Sequence, residues 1–508
     1  MKKTLFINGE NLNYQIVSDF IEGKYSEVDL TEQAWKKVEN SNEIVKKIVE
    51  RKKPVYGITT GFGSFADIVI SKEDTEKLQE NLIISHAAGV GEPFEENIVR
   101  LIMLFRANAL SKGFSGIYPS TLKLLLELIN NNITPYVPKY GSVGASGDLA
   151  PLSHVALTLI GLGKAFYKDE LIDSKLALTK CGLKEIRLKA KEGLALNNGT
   201  QMMSACGYYA LYKFERLIKT AIVTASMSVE GLLGSTTPFK KEIHDVRPHY
   251  GQKKVAKLLF DILSDSDIVN SHKDCSRVQD AYTLRCIPQV YGACLDVWKH
   301  VEKVFEIEIN SATDNPLIFS EEDVFSGGNF HGEPVALNLD FLAMAVSEIG
   351  NMSERRTDRL LNNPSNKVLP AFLTQKGGLN SGLMIAQYTS AALVTENKIL
   401  CHPASVDSIP TSANQEDHVS MGSISAVKIQ KIIENLENIL SIELMCAFNA
   451  VKFHKGINPS SVSKKVINEL EKEISVWDYD RIMYMEIEKV KKVMKSEGFL
   501  KILNNMNI

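Results

Sequence analysis

Residues 141–154 read GSVGASGDLAPLSH, a run that crowds three glycines and three serines together and then turns apolar. Serines among glycines suggest phosphate binding or nucleophilic catalysis, and spacing tests both. A phosphate-cradling loop of the form GxxxxGK[ST] needs a lysine after its last glycine, but Asp148 follows Gly147. The dinucleotide spacing GxGxxG is absent from the run. A nucleophile elbow, GxSxG, needs glycine where Asp148 stands. A solvated linker fits poorly too, because the sequence continues as DLAPLSHVALTLIGLG, an apolar stretch that must be buried. Asp148 is placed to cap that helix, and Pro151 is tolerated early in it. The loop is therefore expected to be pinned at a helix N-terminus that faces the interior.

Three further polar clusters lie in linking segments: SHKDCSRVQDAYTLRCIPQ, FSGGNFHGEP and SVDSIPTSANQEDHVSM. Loops held on a rigid scaffold are where binding groups collect, so the three are expected to converge on one site. Beyond about residue 200 the scaffold is legible as helix-spaced apolar residues sustained over many turns. The stretches are TQMMSACGYYALYKFERLIKTAIVTASMSVEGLL, PVALNLDFLAMAVSEIGNMSERRTDRLL, SGLMIAQYTSAALVTENKIL and AVKIQKIIENLENILSIELMCAFNAV. In the last, Ile429, Ile432, Ile433, Leu436, Leu440 and Leu444 form one stripe, read as core. Several of these helices are apolar on more than one side, which suits the middle of a bundle or a subunit interface and predicts an oligomer.

Before residue 200 the pattern is mixed. TLFI and PVYGIT lean toward strand, TTGFGSF toward a glycine turn, and EDTEKLQENLIISHAAG and STLKLLLELINN toward helices ending at Gly89 and before Pro135. The expected architecture is mainly α: a long central helix bundle with C-terminal helices at 201–508, and a smaller mixed N-terminal region at 1–200 that carries the active-site loop.

The chain has 508 residues, 44% hydrophobic and 23% charged, with a formal net charge of -3 and no basic stripe. That balance argues against nucleic acid or anionic membrane as a partner and favours a small molecule. Seven cysteines with no CxxC pair fit a reducing cytoplasm. No export signal or membrane helix is read. Ten scattered histidines include no HExxH, and HDVRPH at 244–249 lacks a partner acid, so no catalytic metal is expected.

GSVGASGDLAPLSH resembles the signature of the aromatic amino acid ammonia-lyase family. YGITTGFG, NLIISHAAGVGEP, RANALSKGFSGI, LALNNGTQ, VQDAYTLRC, SGGNFHGEP and SANQEDHVSM follow in the family's order over nearly the whole chain. The resemblance implies that Ala145, Ser146 and Gly147 convert themselves into 4-methylideneimidazol-5-one (MIO), a protein-derived electrophile, with no external cofactor. The Gly147 nitrogen would attack the Ala145 carbonyl, with loss of ring water and of the Ser146 hydroxyl, and only small residues allow that approach. The family places tyrosine as base, which implies Tyr56, although an ordinary phenol near pKa 10 must be shifted toward neutrality to serve. An isolated tyrosine is more often a core residue with a satisfied hydroxyl, and Tyr56 stands out only by its motif. Glu416 and Tyr282 are the alternatives for the base.

By the same resemblance Tyr282 and Asn198 flank the ring, Gln279 and Asn329 add polar contacts, and Phe330 lines the pocket. Ala281 stands where relatives commonly carry proline. Arg285 offers a planar fork suited to a substrate carboxylate. For the substrate ring, an imidazole wants two polar partners because one nitrogen donates and the other accepts. His86 and Glu416 supply them, although an acid such as Glu416 is also favoured simply at a helix start. The implied reaction is non-oxidative deamination of L-histidine to trans-urocanate and ammonia by a cytoplasmic homotetramer. A tyrosine ammonia-lyase, an MIO-dependent aminomutase and a catalytically inactive helical scaffold stand as rivals.

Overall fold

Wherever apolar residues recur at helical spacing over many turns, the chain forms long helices. The computed structural model describes residues 3–51, 54–61, 68, 70–71, 74–272, 278–506 and 508. The longest helices are Gln201–Gly231, Ile287–Glu308, Glu333–Leu361 and Gly422–Phe453, with Met384–Leu400 shorter. The protein is mainly α, as expected, and every residue of the Ile429 to Leu444 stripe is buried.

The described residues divide into two compact units. One comprises residues 1–209, 301–340 and 403–429, and the other 210–300, 341–402 and 430–508. The strands fall in the first unit. Thr4–Ile7 pairs in parallel with Glu27–Leu30, and Val90–Pro93 runs antiparallel to Pro138–Tyr140. Lys164–Tyr167 is the middle strand of an antiparallel three, between Thr134–Pro135 and Glu170–Asp173. A short antiparallel pair, Leu317–Ile318 with Val324–Phe325, completes the set.

Two local expectations change. PVYGIT is a turn, not a strand: the Ile58 and Thr59 amides both donate to the Val55 carbonyl, and Gly57 sits at φ +70°. The glycine turn expected at TTGFGSF lies, beyond Gly61, outside the described residues, as does Cys275. Asp148 precedes the helix Leu149–Leu159 but makes no side-chain cap to it. Its carboxylate is instead buried at the start of Gln201–Gly231, where Oδ2 accepts from the amides of Met202 and Met203 at 2.9 and 3.0 Å. Those N–H groups have no partner within their own helix, and an acceptor there satisfies them and meets the positive end of the helix dipole. The cap is real, but it closes a helix fifty residues further along the chain.

In the second unit one buried carboxylate ties four long helices together. Glu443 Oε1 accepts from Arg356 Nε at 2.5 Å and from Ser228 Oγ at 2.7 Å, and Glu443 Oε2 accepts from Arg356 Nη2 at 2.9 Å. The same Arg356 nitrogen also donates to the Tyr291 hydroxyl. Buried charges persist only when paired, and removing one partner strands the other. Close backbone approach assists this packing: Gly251 and Gly292 meet so tightly that a Cβ on Gly251 would lie 2.0 Å from the Gly292 carbonyl oxygen.

Arg356→Met is expected to lower stability by about 3–5 kcal/mol, and Arg356→Met with Glu443→Leu to recover most of that loss, both read by chemical denaturation. A second expectation concerns pH. Burial pushes the Asp148 carboxyl up from 3.8 to about 7, against the hydrogen bonds from Met203, Ser423 and Met202 that lower it. A folded value above the unfolded one gives stability that is full below pH 3.8 and is lost as pH rises through about 7. The wild-type chain should therefore lose stability relative to Asp148→Asn across that window in denaturation at successive pH values.

Candidate functional site

The glycine-serine loop is held against three other segments of the first unit. The Met421 amide donates to the Val143 carbonyl at 2.9 Å, and Ala145 packs with Val419 and Met421. The Asp148 amide donates to the Gly199 carbonyl at 2.7 Å, beside a parallel bridge between Gly147 and Gly199. Ser146 and Gly147 both enter the left-handed region, at φ 52° and 77°. Gly147 has no alternative, because a Cβ there would lie 2.2 Å from the Gly199 carbonyl oxygen.

Asn198 comes from the end of the helix Glu192–Asn197, and its Nδ2 donates to the Ser146 carbonyl at 2.8 Å. Arg106, fully buried on the helix Glu96–Ser111, fixes that segment by donating to the Asn198 carbonyl at 2.9 Å, to Gln201 Oε1 at 2.9 Å and to the Ala195 carbonyl. The Arg106 fork can grip two carbonyls one helical turn apart, which a lysine could not.

Glu416 arrives on a loop folded sharply back on itself. Ser412, Ala413 and Asn414 all have positive φ, at 52°, 51° and 67°, and Thr411 and Glu416 pair as an antiparallel bridge. Non-glycine residues hold such a conformation only where the surroundings over-determine it, and such residues cluster at functional sites. The Glu416 carboxylate accepts from Ser146 Oγ at 2.8 Å through Oε1 and from Thr411 Oγ1 at 2.9 Å through Oε2. The serine therefore has a carboxylate partner that its local sequence does not reveal.

These groups face a cavity of about 1090 Å³. Tyr56, His86, Ser146, Asn198, Phe330 and Glu416 line it, with Leu194 and Leu82 supplying apolar wall. His86 ends the helix Thr75–His86, and its Nδ1 lies 3.0 Å from Ser85 Oγ. Burial lowers the His86 imidazole below its ordinary 6.5, outweighing the Leu82 backbone hydrogen bond and Glu416, which raise it. A neutral ring at neutral pH can donate from one nitrogen and accept at the other.

Ala145 and Gly147 flank Ser146 and are buried. Asn329 is exposed, donates to the Ala312 carbonyl at 3.2 Å and is not among the lining residues. Gln279, Tyr282 and Arg285 belong to the second unit and do not line this cavity. Tyr282 is 70% exposed, and the Arg285 guanidinium sits over its ring at 4.6 Å. Of the three polar loops expected to converge, those at 326–331 and 412–418 line the cavity. His331 and His418 line it too, and neither stands out in the sequence, because each is a lone histidine within its own motif. His244, in HDVRPH, has its ring nitrogens engaged by the Pro238 carbonyl and Gln252.

The family model described as aromatic amino acid lyase matches residues 12–472. The chain is 51% identical over 488 residues to a histidine ammonia-lyase from Alkaliphilus oremlandii, a match covering 96% of each protein. Among solved structures it is similar to a histidine ammonia-lyase from Trypanosoma cruzi, with a TM-score of 0.91 and 40% identity over 99% of this chain and 96% of that one. It is also similar to a tyrosine aminomutase from Streptomyces globisporus, with a TM-score of 0.93 and 35% identity over 99% of both chains. With the loop, its carboxylate partner and the cavity all falling inside the matched residues, the chain belongs to the aromatic amino acid lyase family.

Proposed function

We propose that the chain deaminates L-histidine non-oxidatively to trans-urocanate and ammonia, using an MIO group made from Ala145, Ser146 and Gly147. The observation that carries this reading is the pairing of His86 and Glu416 on the wall of the cavity into which Ser146 opens. Two separated polar groups suit an imidazole, whereas a phenyl ring would leave both without partners and a phenol would use one. The name shared by relatives at about half identity supports the same substrate.

The loop fits the group. Positive φ at Ser146 and Gly147 and the absence of room for a Cβ at Gly147 are what a backbone needs to turn back on its own preceding carbonyl. Asn198 holds the Ser146 carbonyl in place. Once formed, MIO supplies an electrophilic carbon that converts the substrate amine into a better leaving group.

The chain's own residues do the rest. While Ser146 keeps its hydroxyl, Glu416 Oε1 is occupied by it. Loss of that oxygen leaves a carboxylate oxygen on the cavity, free to accept from a substrate imidazole N–H. Neutral His86 serves the other ring nitrogen, and Phe330 and Leu194 exclude water around the ring. Tyr56, on the same wall, is the base we assign to the β-proton, with Glu416 and Tyr282 as the alternatives. Arg285 is assigned to the substrate carboxylate and Gln279, Tyr282 and Asn329 to further contacts, supplied by other copies of the chain in a cytoplasmic homotetramer. Among the described residues no helix is long and apolar enough to cross a membrane.

Ser146→Ala is expected to abolish turnover and to remove the deficit of two waters from the intact mass, while helical content by circular dichroism stays unchanged. Urocanate formation retained in that variant would refute the electrophile. Glu416→Gln should lower kcat/KM for L-histidine by about a hundredfold or more while keeping the mass deficit. Urocanate, coumarate and β-amino acid products are to be assayed side by side, and coumarate or a β-amino acid in place of urocanate would transfer the chain to one of its sister activities.

A further inference from the structure

His331 and His418, which line the cavity, and Glu333 beside them present three potential metal ligands with their donor atoms all within 4.8 Å of one another. The two imidazoles lie parallel, with centroids 5.7 Å apart and planes 8° apart. Glu333 Oε2 is buried and has no hydrogen-bond partner among the described residues. A buried carboxylate oxygen without a donor is costly, and a bound cation would satisfy it. The His331 ring is already oriented: Nε2 contacts the His418 carbonyl and Nδ1 the Glu333 amide, each at 3.3 Å. With Nε2–H donating to that carbonyl, the Nδ1 lone pair accepts the long bond from the Glu333 amide, and a cation at Nδ1 would replace that bond while the carbonyl keeps the ring in place.

The charge of the cavity points the same way. Glu416 and Asp417 are among its lining residues, and among the described residues of this chain no lysine or arginine lines it. His418 is exposed, which gives a hydrated ion a way in.

We propose that His331, Glu333 and His418 bind a divalent cation of the zinc class at the wall of the substrate cavity. Two imidazoles and one carboxylate form a borderline ligand set that suits zinc, cobalt or nickel and not magnesium or calcium. Metal–ligand bonds of about 2.0–2.2 Å place tetrahedral donors about 3.3–3.5 Å apart, so the three groups must close by about 1.5 Å. Rotations of the exposed His418 ring and of the Glu333 side chain supply that movement. Three protein ligands leave a fourth position for water or a solute from the cavity. None of the three ligands belongs to the ring-forming loop, so the proposal stands whichever amino acid the enzyme deaminates.

The test is titration of the chelator-treated full-length enzyme with Co²⁺ alone, without substrate, followed by calorimetry and by the visible absorption that four-coordinate cobalt gives. One ion per chain is expected in the wild type. Affinity should weaken at least about tenfold in both Glu333→Gln and His418→Ala. His418 is exposed, so its variant should keep the wild-type unfolding midpoint and separates ligand loss from misfolding. Failure of the wild type to take up one ion per chain, or equal affinity in the wild type and both variants, would overturn the proposal.

Discussion

Gly147 and Gly199 approach so closely that the backbone of one leaves no space for a side chain on the other, and the first unit is organised around that contact. It forces Ser146 into a left-handed conformation that costs a non-glycine residue about 1–2 kcal/mol. The surroundings hold it there. Asn198 grips the Ser146 carbonyl, the Asp148 amide is bonded to Gly199, and Met421 is bonded to Val143. Arg106 in turn fixes the segment that carries Asn198. Each of these bonds joins segments distant in sequence, so the bend exists only in the folded chain.

Buried charge is met in more than one way in the two units. In the second, Glu443 is matched by Arg356, and with Ser228 and Tyr291 the pair links four helices. In the first, Asp148 meets backbone amides and a hydroxyl but no cation, and burial raises its pKa. Lys191 and Asp314, also in the first unit, form a buried ion pair at 2.9 Å. Glu333 Oε2 is buried without a hydrogen-bond partner among the described residues.

A long helix is legible in sequence because its apolar period repeats over neighbouring turns, so Gln201–Gly231 and Gly422–Phe453 could be read without knowing what they pack against. The pinned loop was legible for a similar reason, since the apolar run after Asp148 needed burial. The family was legible because many short motifs lie in order along one chain. PVYGIT misled because β-leaning residues also fill turns when a glycine at positive φ breaks the strand, as Gly57 does.

The types of the residues proposed to react, the small side chains of Ala145 and Gly147 and the positions of His86 and Glu416 were determined by the sequence alone. The tertiary structure decided what those residues touch. It brought Glu416 to the Ser146 hydroxyl across 270 residues, and it turned Asp148 from its own helix to the start of another. It also gathered His331, Glu333 and His418 into one cluster. Spacing along a chain constrains only local geometry, whereas a hydrogen bond or a ligand set depends on distances in space, which packing alone establishes.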